Sequence, residues 1–174
     1  MSNALDLYRA GSTEPWTVDV ICAMAVASDA HILVETGTFE ARTTRQLFDV
    51  LGTTNRFATI YSIESDRVRY EAAAAQDWSG SNVHVVLSNN DALLAMDGFA
   101  DNTVDFVFLD DDHTADHVAL EIREAKRILK PGGICCLHDA VGPFGIGPLV
   151  IAAGGIVLPF VKLHSAGGLG VIVK

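Results

Sequence analysis

Carboxylates recur at one kind of position along this chain. Five short apolar runs are each followed by acid: Glu35, Glu64, Asp91, Asp110–Asp112 and Asp139. One acid beyond an apolar run is an ordinary solvated group; five out of five is a pattern. In a parallel sheet these positions share the edge outside the carboxyl ends of the strands, where ligands bind. Glu64, in YSIES, offers two oxygens to the vicinal hydroxyls of a ribose, the alternative being a solvated loop acid. Asp91, in SNNDA, is placed either to accept from an adenine amino group or to cap the helix after it.

The richest run is FLDDDH, Phe108–His113. Three consecutive carboxylates repel one another unless a cation neutralises them or water screens them. From Asp97 to Asp116 there are seven aspartates and no Lys or Arg. A divalent cation such as Mg²⁺, which takes one or two carboxylates plus water and substrate oxygens, fits Asp110 or Asp112 together with Asp139. A solvated loop is the other reading. His113 and His138 stand where a general base would, with ordinary pKa values near 6.5; a structural hydrogen-bonding role explains either one as well. The other four histidines carry no signal.

These groups must be held by elements, and ILVETGTFEARTT, Ile32–Thr44, shows how. A four-residue buried strand, Ile32–Glu35, runs into a turn at Gly37, and Thr43 and Thr44 lead into a helix. Without a Cβ, Gly37 lets backbone approach a ligand closely. The acid at the strand end, Glu35, disfavours a phosphate and favours a ligand with amino groups or positive charge. That points to S-adenosylmethionine more than to NAD or ATP.

Around this loop the patterning predicts an opening helix over Glu14–Ala27, capped by Ser12 or Thr13 with Pro15 in its first turn. Helices are also expected over Arg42–Leu51, Arg67–Gln76, Ala92–Met96, Ala115–Leu129 and Ile146–Ala153. Strands are expected over Ala58–Ile63, Val83–Leu87, Val104–Leu109 and Ile134–Leu137, with Lys130–Gly133 as a helix stop. Two closing apolar runs, Ile156–Leu163 and Leu169–Val173, lie too close together for a parallel crossover and form a hairpin. The expected fold is α/β: a doubly wound, mostly parallel seven-stranded sheet with a C-terminal antiparallel hairpin strand. Residues 1–174 read as one domain, a helical segment (1–29) before an α/β core (30–174).

The bulk composition narrows the class. With 22 acidic against 12 basic residues the net charge is −10, which repels nucleic-acid phosphates. Met1–Ala10 lacks the apolar core of a secretory signal, and no apolar run approaches the ~18 residues of a membrane span. Cys22, Cys135 and Cys136 read as buried reduced thiols, because strand neighbours point to opposite faces. A cytoplasmic location follows as the expectation, with no nucleic-acid or membrane partner.

The succession ETGTFEARTT, YSIESD, NND, FLDDDHTADHV, LKPGG and LHDA resembles the class I S-adenosylmethionine-dependent methyltransferases. More narrowly it is similar to the small-molecule O-methyltransferase group that includes cephalosporin-hydroxylase-like and catechol-type enzymes, over Val34–Val141 and the terminal hairpin. The resemblance implies a Rossmann-like fold and a cofactor site built from Glu35, Thr36, Gly37, Thr38, Phe39 and Thr43. Glu64 and Ser65 would lie at the ribose, Asn90 and Asp91 at the adenine, and Asp110 at the reacting end. It implies catalytic roles for Asp110, His113, His138 and Asp139, and Mg²⁺ on Asp110, Asp112 and Asp139 orienting an acceptor hydroxyl. The chain departs from the pattern at Ala41, where a third glycine is usual, at Asp111, also usually glycine, and at Ala140, where catechol-type enzymes place an asparagine ligand. A methyl at Ala41 suits a negative φ. With little sequence before the first strand, acceptor contacts fall to Ser12–Trp16, to Gly142–Gly147 or to a second subunit of a homo-oligomer. Aminopropyl transfer on the same fold, and a binding protein that has lost catalysis, are the alternative functions.

Overall fold

The structure, a computed structural model, describes residues 13–54, 56–159 and 167–174. Helices and strands alternate: α1 (Pro15–Ala27), β1 (Ile32–Thr36), α2 (Arg42–Thr53), β2 (Ala58–Ile63), α3 (Arg67–Ala74), β3 (Val83–Ser88), α4 (Ala92–Asp97), β4 (Val104–Leu109), α5 (Ala115–Ile128), β5 (Leu129–Leu137), α6 (Ile146–Ala152), β6 (Ile156–Leu158) and β7 (Leu169–Val173). The seven strands form one sheet in the order β3-β2-β1-β4-β5-β7-β6. The five central strands run parallel; β7 is antiparallel to both neighbours, β5 and β6. The expected doubly wound sheet with its closing hairpin is therefore present, with β7 inserted between β5 and the edge strand β6.

Alternation along each central strand builds two apolar layers, as a sheet covered on both faces requires. Leu33, Ile60, Phe106, Phe108 and Cys136 pack with Ile21 and Ala25 of α1 and Leu47, Phe48 and Leu51 of α2. Val34, Ile63, Val107, Leu109 and Cys135 face the other way, onto Met96 of α4, Ile122 and Ile128 of α5 and Val150 of α6. The adjacent cysteines point to opposite faces, as expected. All three cysteines are buried free thiols, and burial pushes Cys22 and Cys136 up to about 12.

Several boundaries differ from the sequence expectation. The first residue before α1 is Glu14, which makes no side-chain cap bond; Thr13 turns its hydroxyl to Asp110 instead, and Ser12 lies outside the described residues. Helix α3 stops at Ala74, where the Trp78 indole donates to the Ala73 carbonyl. At Lys130–Gly133 there is no separate turn: α5 ends at Ile128 and β5 begins at Leu129. Pro131 disfavours helical backbone before it, and a register shift against β4 between Val104 and Phe106 absorbs the extra residues. Strand β6 is only three residues long; the remainder of the expected run, from Phe160, lies outside the described residues.

Gly37 is the tightest point of the fold. Its φ is +80°, and a Cβ there would stand 2.0 Å from the Asp110 carbonyl oxygen. Gly37→Ala should therefore destabilise the protein by about 2 kcal/mol or more, combining left-handed backbone strain with the clash. Urea unfolding measures this directly, and an unchanged midpoint would show that the loop relaxes without cost.

Candidate functional site

Above the carboxyl ends of β1, β2, β4 and β5 lies a cleft of about 520 Å³. Gly37, Thr38, Phe39 and Thr43 line one side, Glu64, Ser65, Asp66 and Arg69 another, and Asp110, His113, His138 and Asp139 the floor and far wall. The Gly37 and Thr38 amides both donate to the Ile63 carbonyl, so the loop is fastened to the end of β2. Three non-glycine residues at the site have positive φ: Phe39 (49°), Ala41 (57°) and Asp139 (53°). Ala41 thus takes the conformation that a methyl group disfavours, not the negative φ at which a methyl is readily tolerated, and it does so fully buried at the start of α2. Such strain persists only where surrounding structure over-determines it.

Glu64 is seated with care. Its Oε2 accepts from the Phe39 amide and its Oε1 from the Asp66 amide, both at 2.8 Å. Each oxygen keeps a further lone pair. The carboxylate is thereby fixed in orientation at the cleft wall, with Arg69 stacked over the Phe39 ring beside it at 4.4 Å.

Across the cleft, five ionisable groups interlock: Glu14, Asp110, His113, His138 and Asp139. His138 places Nδ1 at 3.1 Å from Asp110 Oδ1 and Nε2 at 2.8 Å from Glu14 Oε2. With both ring nitrogens facing carboxylate oxygens, the imidazole is a two-fold donor, hence a cation. Burial pulls its pKa down, but hydrogen bonds to Asp110, Asp139 and Glu14 outweigh this and raise it to about 12. His113 Nε2 lies 2.8 Å from Asp139 Oδ2 and 3.5 Å from Asp110 Oδ1, and these hydrogen bonds raise it to about 10. Burial opposes ionisation of Asp110 and Asp139, yet the two imidazoles hold both carboxyls below their usual range. Thr13 donates to the remaining Asp110 oxygen at 2.6 Å.

This donor set does not fit Mg²⁺. The ion seeks an octahedron of oxygens, whereas Asp110 and Asp139 are bracketed by two imidazoles. Each carboxylate already faces an imidazolium, and Ala140 brings no donor side chain. Asp112, expected as a ligand, is exposed and accepts from the Thr114 amide in its own turn. The expected Asp110–Asp112–Asp139 metal triad is therefore not assembled, because the start of α5 claims Asp112.

Of the residues expected at a cofactor site, Gly37, Thr38, Phe39, Thr43, Glu64, Ser65 and Asp110 meet at the cleft. Four do not line it. Glu35 is buried beneath the loop, where one oxygen accepts from Thr44 (2.5 Å) and Ser62 (2.7 Å). It supports the loop rather than facing a positive ligand, and burial raises its pKa to about 7. Thr36 donates to Glu121 Oε1 at 2.8 Å and does not line the cleft. Asp91 caps α4 by accepting from the Leu94 amide, and Asn90 accepts from the Asp91 amide, so both serve their own turn. Sequence reading missed the pairing of Glu14 with His138 and the Asp111–His117–Glu121 group. Thr13 and Glu14 do fall within the segment expected to supply acceptor contacts.

The sequence matches the profile of a family described as a methyltransferase domain over residues 34–140. No curated protein is significantly similar in sequence. The O-methyltransferase from Bacillus cereus in complex with SAH superposes with a TM-score of 0.69 at 16% identity, covering 99% of this chain and 87% of that one. The O-methyltransferase TomG from Streptomyces achromogenes, involved in tomaymycin synthesis and in complex with SAM, gives 0.67 at 19%, covering 98% and 84%. A methyltransferase from Geobacter sulfurreducens gives 0.71 at 15%, covering 94% and 81%. Likeness at these identities establishes the fold.

Glu35 makes stability depend on pH with a definite sign. Its folded pKa of about 7 exceeds the ordinary 4.5, so the folded state holds the proton more tightly. Stability contributed by that proton is complete below the ordinary value and is lost as pH rises through about 7. Thermal unfolding between pH 5 and 8 should show the decline, on the order of 3 kcal/mol from this group. Glu35→Gln should make the decline shallower, leaving the share of Glu121, which burial raises to about 8, and a parallel curve for the variant would place the titration elsewhere.

Proposed function

The chain belongs to the methyltransferase-domain family, and from that premise we propose that it transfers the methyl group of S-adenosylmethionine to an oxygen of a small-molecule acceptor, without Mg²⁺. The observation that carries this reading is the cleft itself: a fixed carboxylate, Glu64, on one wall and an imidazole–carboxylate cluster on the other, joined by the Gly37 loop.

The bound cofactor supplies an electrophilic methyl carbon. On this reading Glu64 accepts from the two ribose hydroxyls through the lone pairs left free by the Phe39 and Asp66 amides. Gly37–Phe39 bounds the methionine portion, and the wall formed by Thr13, Glu14, His113 and Asp139 holds the acceptor. His138, buried and bonded at both nitrogens, positions Asp110 and Glu14. His113 is the more accessible imidazole, with its side chain 29% exposed against 8% for His138. In its neutral form it takes the proton of the acceptor hydroxyl, and Asp139 and Asp110 stabilise the imidazolium that results. Alignment of acceptor oxygen and methyl carbon contributes the rest.

Three expected outcomes test this. Glu64→Ala should weaken S-adenosylmethionine binding by about 1–3 kcal/mol, and unchanged affinity would remove the ribose assignment. Asp139→Ala should bind the cofactor as the wild type does yet form no S-adenosylhomocysteine with a panel of small hydroxy acceptors; full turnover in that variant would contradict the acceptor-side role. A base whose pKa is about 10 is mostly protonated at neutral pH, so kcat/KM should rise about tenfold per pH unit from 7 to 9. His113→Gln should abolish that slope, and a flat wild-type profile would exclude His113 as the base. Turnover also separates methyl transfer from a pocket that binds the cofactor without reacting.

A further inference from the structure

We propose that Asp111, His117 and Glu121 form a divalent-cation site of the zinc class, separate from the imidazole–carboxylate cluster of the cleft. His117 and Glu121 stand four residues apart on α5 and so share a helix face, while Asp111 reaches them from the turn before the helix. One ligand atom from each lies within 4.8 Å of the other two.

The independent sign of a ligand is an orphaned atom. His117 Nε2 is buried and makes no hydrogen bond among the described residues. Buried polar atoms of this kind are rare, because leaving one unpaired costs free energy. Nε2 nonetheless faces two carboxylate oxygens, Asp111 Oδ2 at 3.6 Å and Glu121 Oε2 at 3.8 Å. Both distances exceed a hydrogen bond. They approach the separation of ligand atoms that share an ion: donors about 2.1 Å from a tetrahedral metal stand about 3.4 Å apart. Closing the set around an ion would also draw together the Asp111 and Glu121 oxygens, which lie within 4.8 Å of each other.

The donor chemistry selects the ion class. One imidazole and two carboxylates suit Zn²⁺ and its neighbours, and three protein ligands leave a fourth position for water. Glu121, only 1% exposed, is oriented by the Thr36 hydroxyl on its other oxygen, the kind of outer contact that fixes a metal-ligating carboxylate. Asp111 and His117 keep 25% and 18% of their side-chain surface, so an ion has a route in. Asp111 also follows the carbonyl that abuts Gly37. An ion here would therefore clamp the backbone on which the glycine loop rests. The site requires nothing of the methyl-transfer reading.

The test is calorimetric titration of the chelator-treated full-length protein with Zn²⁺, with Co²⁺ and its visible absorption as a second probe. The wild type should bind one equivalent. His117→Ala and Asp111→Asn should each weaken binding at least about tenfold and abolish any zinc-induced rise in melting temperature, while unfolding without metal at the wild-type temperature. Asp139→Asn should bind zinc as the wild type does. His117→Gln serves if the alanine variant is poorly folded. Three results would each overturn the proposal: no binding by the wild type, undiminished binding by both site variants, or loss of binding confined to Asp139→Asn.

Discussion

The buried carboxylate of Asp110 is the constraint from which the site is built. An ionised carboxyl with 13% of its side chain exposed must be compensated by donors and opposite charge. The chain supplies these from two distant places and one near: Thr13 ahead of α1, His138 beyond β5, and His113 three residues on in the same loop. The backbone of the same residue extends the β1–β4 pairing through its amide to Thr36, and its carbonyl sets the close approach that only glycine at position 37 permits. Moving this residue would disturb the loop, the N-terminal segment and the far wall of the cleft together.

The opposite end of the sheet is arranged for stability instead. Asp105 accepts from the His31 and Ile32 amides and pairs with Lys130, anchoring the start of β1 beside β4 and β5. None of these four residues lines the cleft. Non-glycine residues with positive φ occur at both ends of the sheet: Phe39, Ala41 and Asp139 at the cleft edge, Asp29 and Asn102 at the other.

Much of this was legible in the sequence, for reasons that can be named. Strands β2, β4 and β7 are apolar runs bounded by turn residues, and their ends coincide with the patterning. Gly37 and Glu64 were readable because a glycine turn and a strand-end acid act locally. What was not legible depends on long-range contact. Glu14 matters through His138, 124 residues away, and no local signal marks it. His117 becomes notable only when Asp111 folds back over α5. The burial of Glu35 depends on the loop that closes over it, and at Asp91 capping and ligand binding ask for the same side chain at the same place, of which the structure shows the cap. That Asp112 turns to the Thr114 amide, and that two imidazoles from different loops face Asp110 and Asp139, likewise depends on the folded chain.

Calorimetric titration of the purified protein with S-adenosylhomocysteine and with S-adenosylmethionine is the most direct test of the central claim, that this cleft is a cofactor site for methyl transfer. Saturable, one-to-one binding of both at micromolar concentration is the predicted result. Absence of binding by either ligand would contradict the account, leaving a methyltransferase fold whose cleft serves some other chemistry.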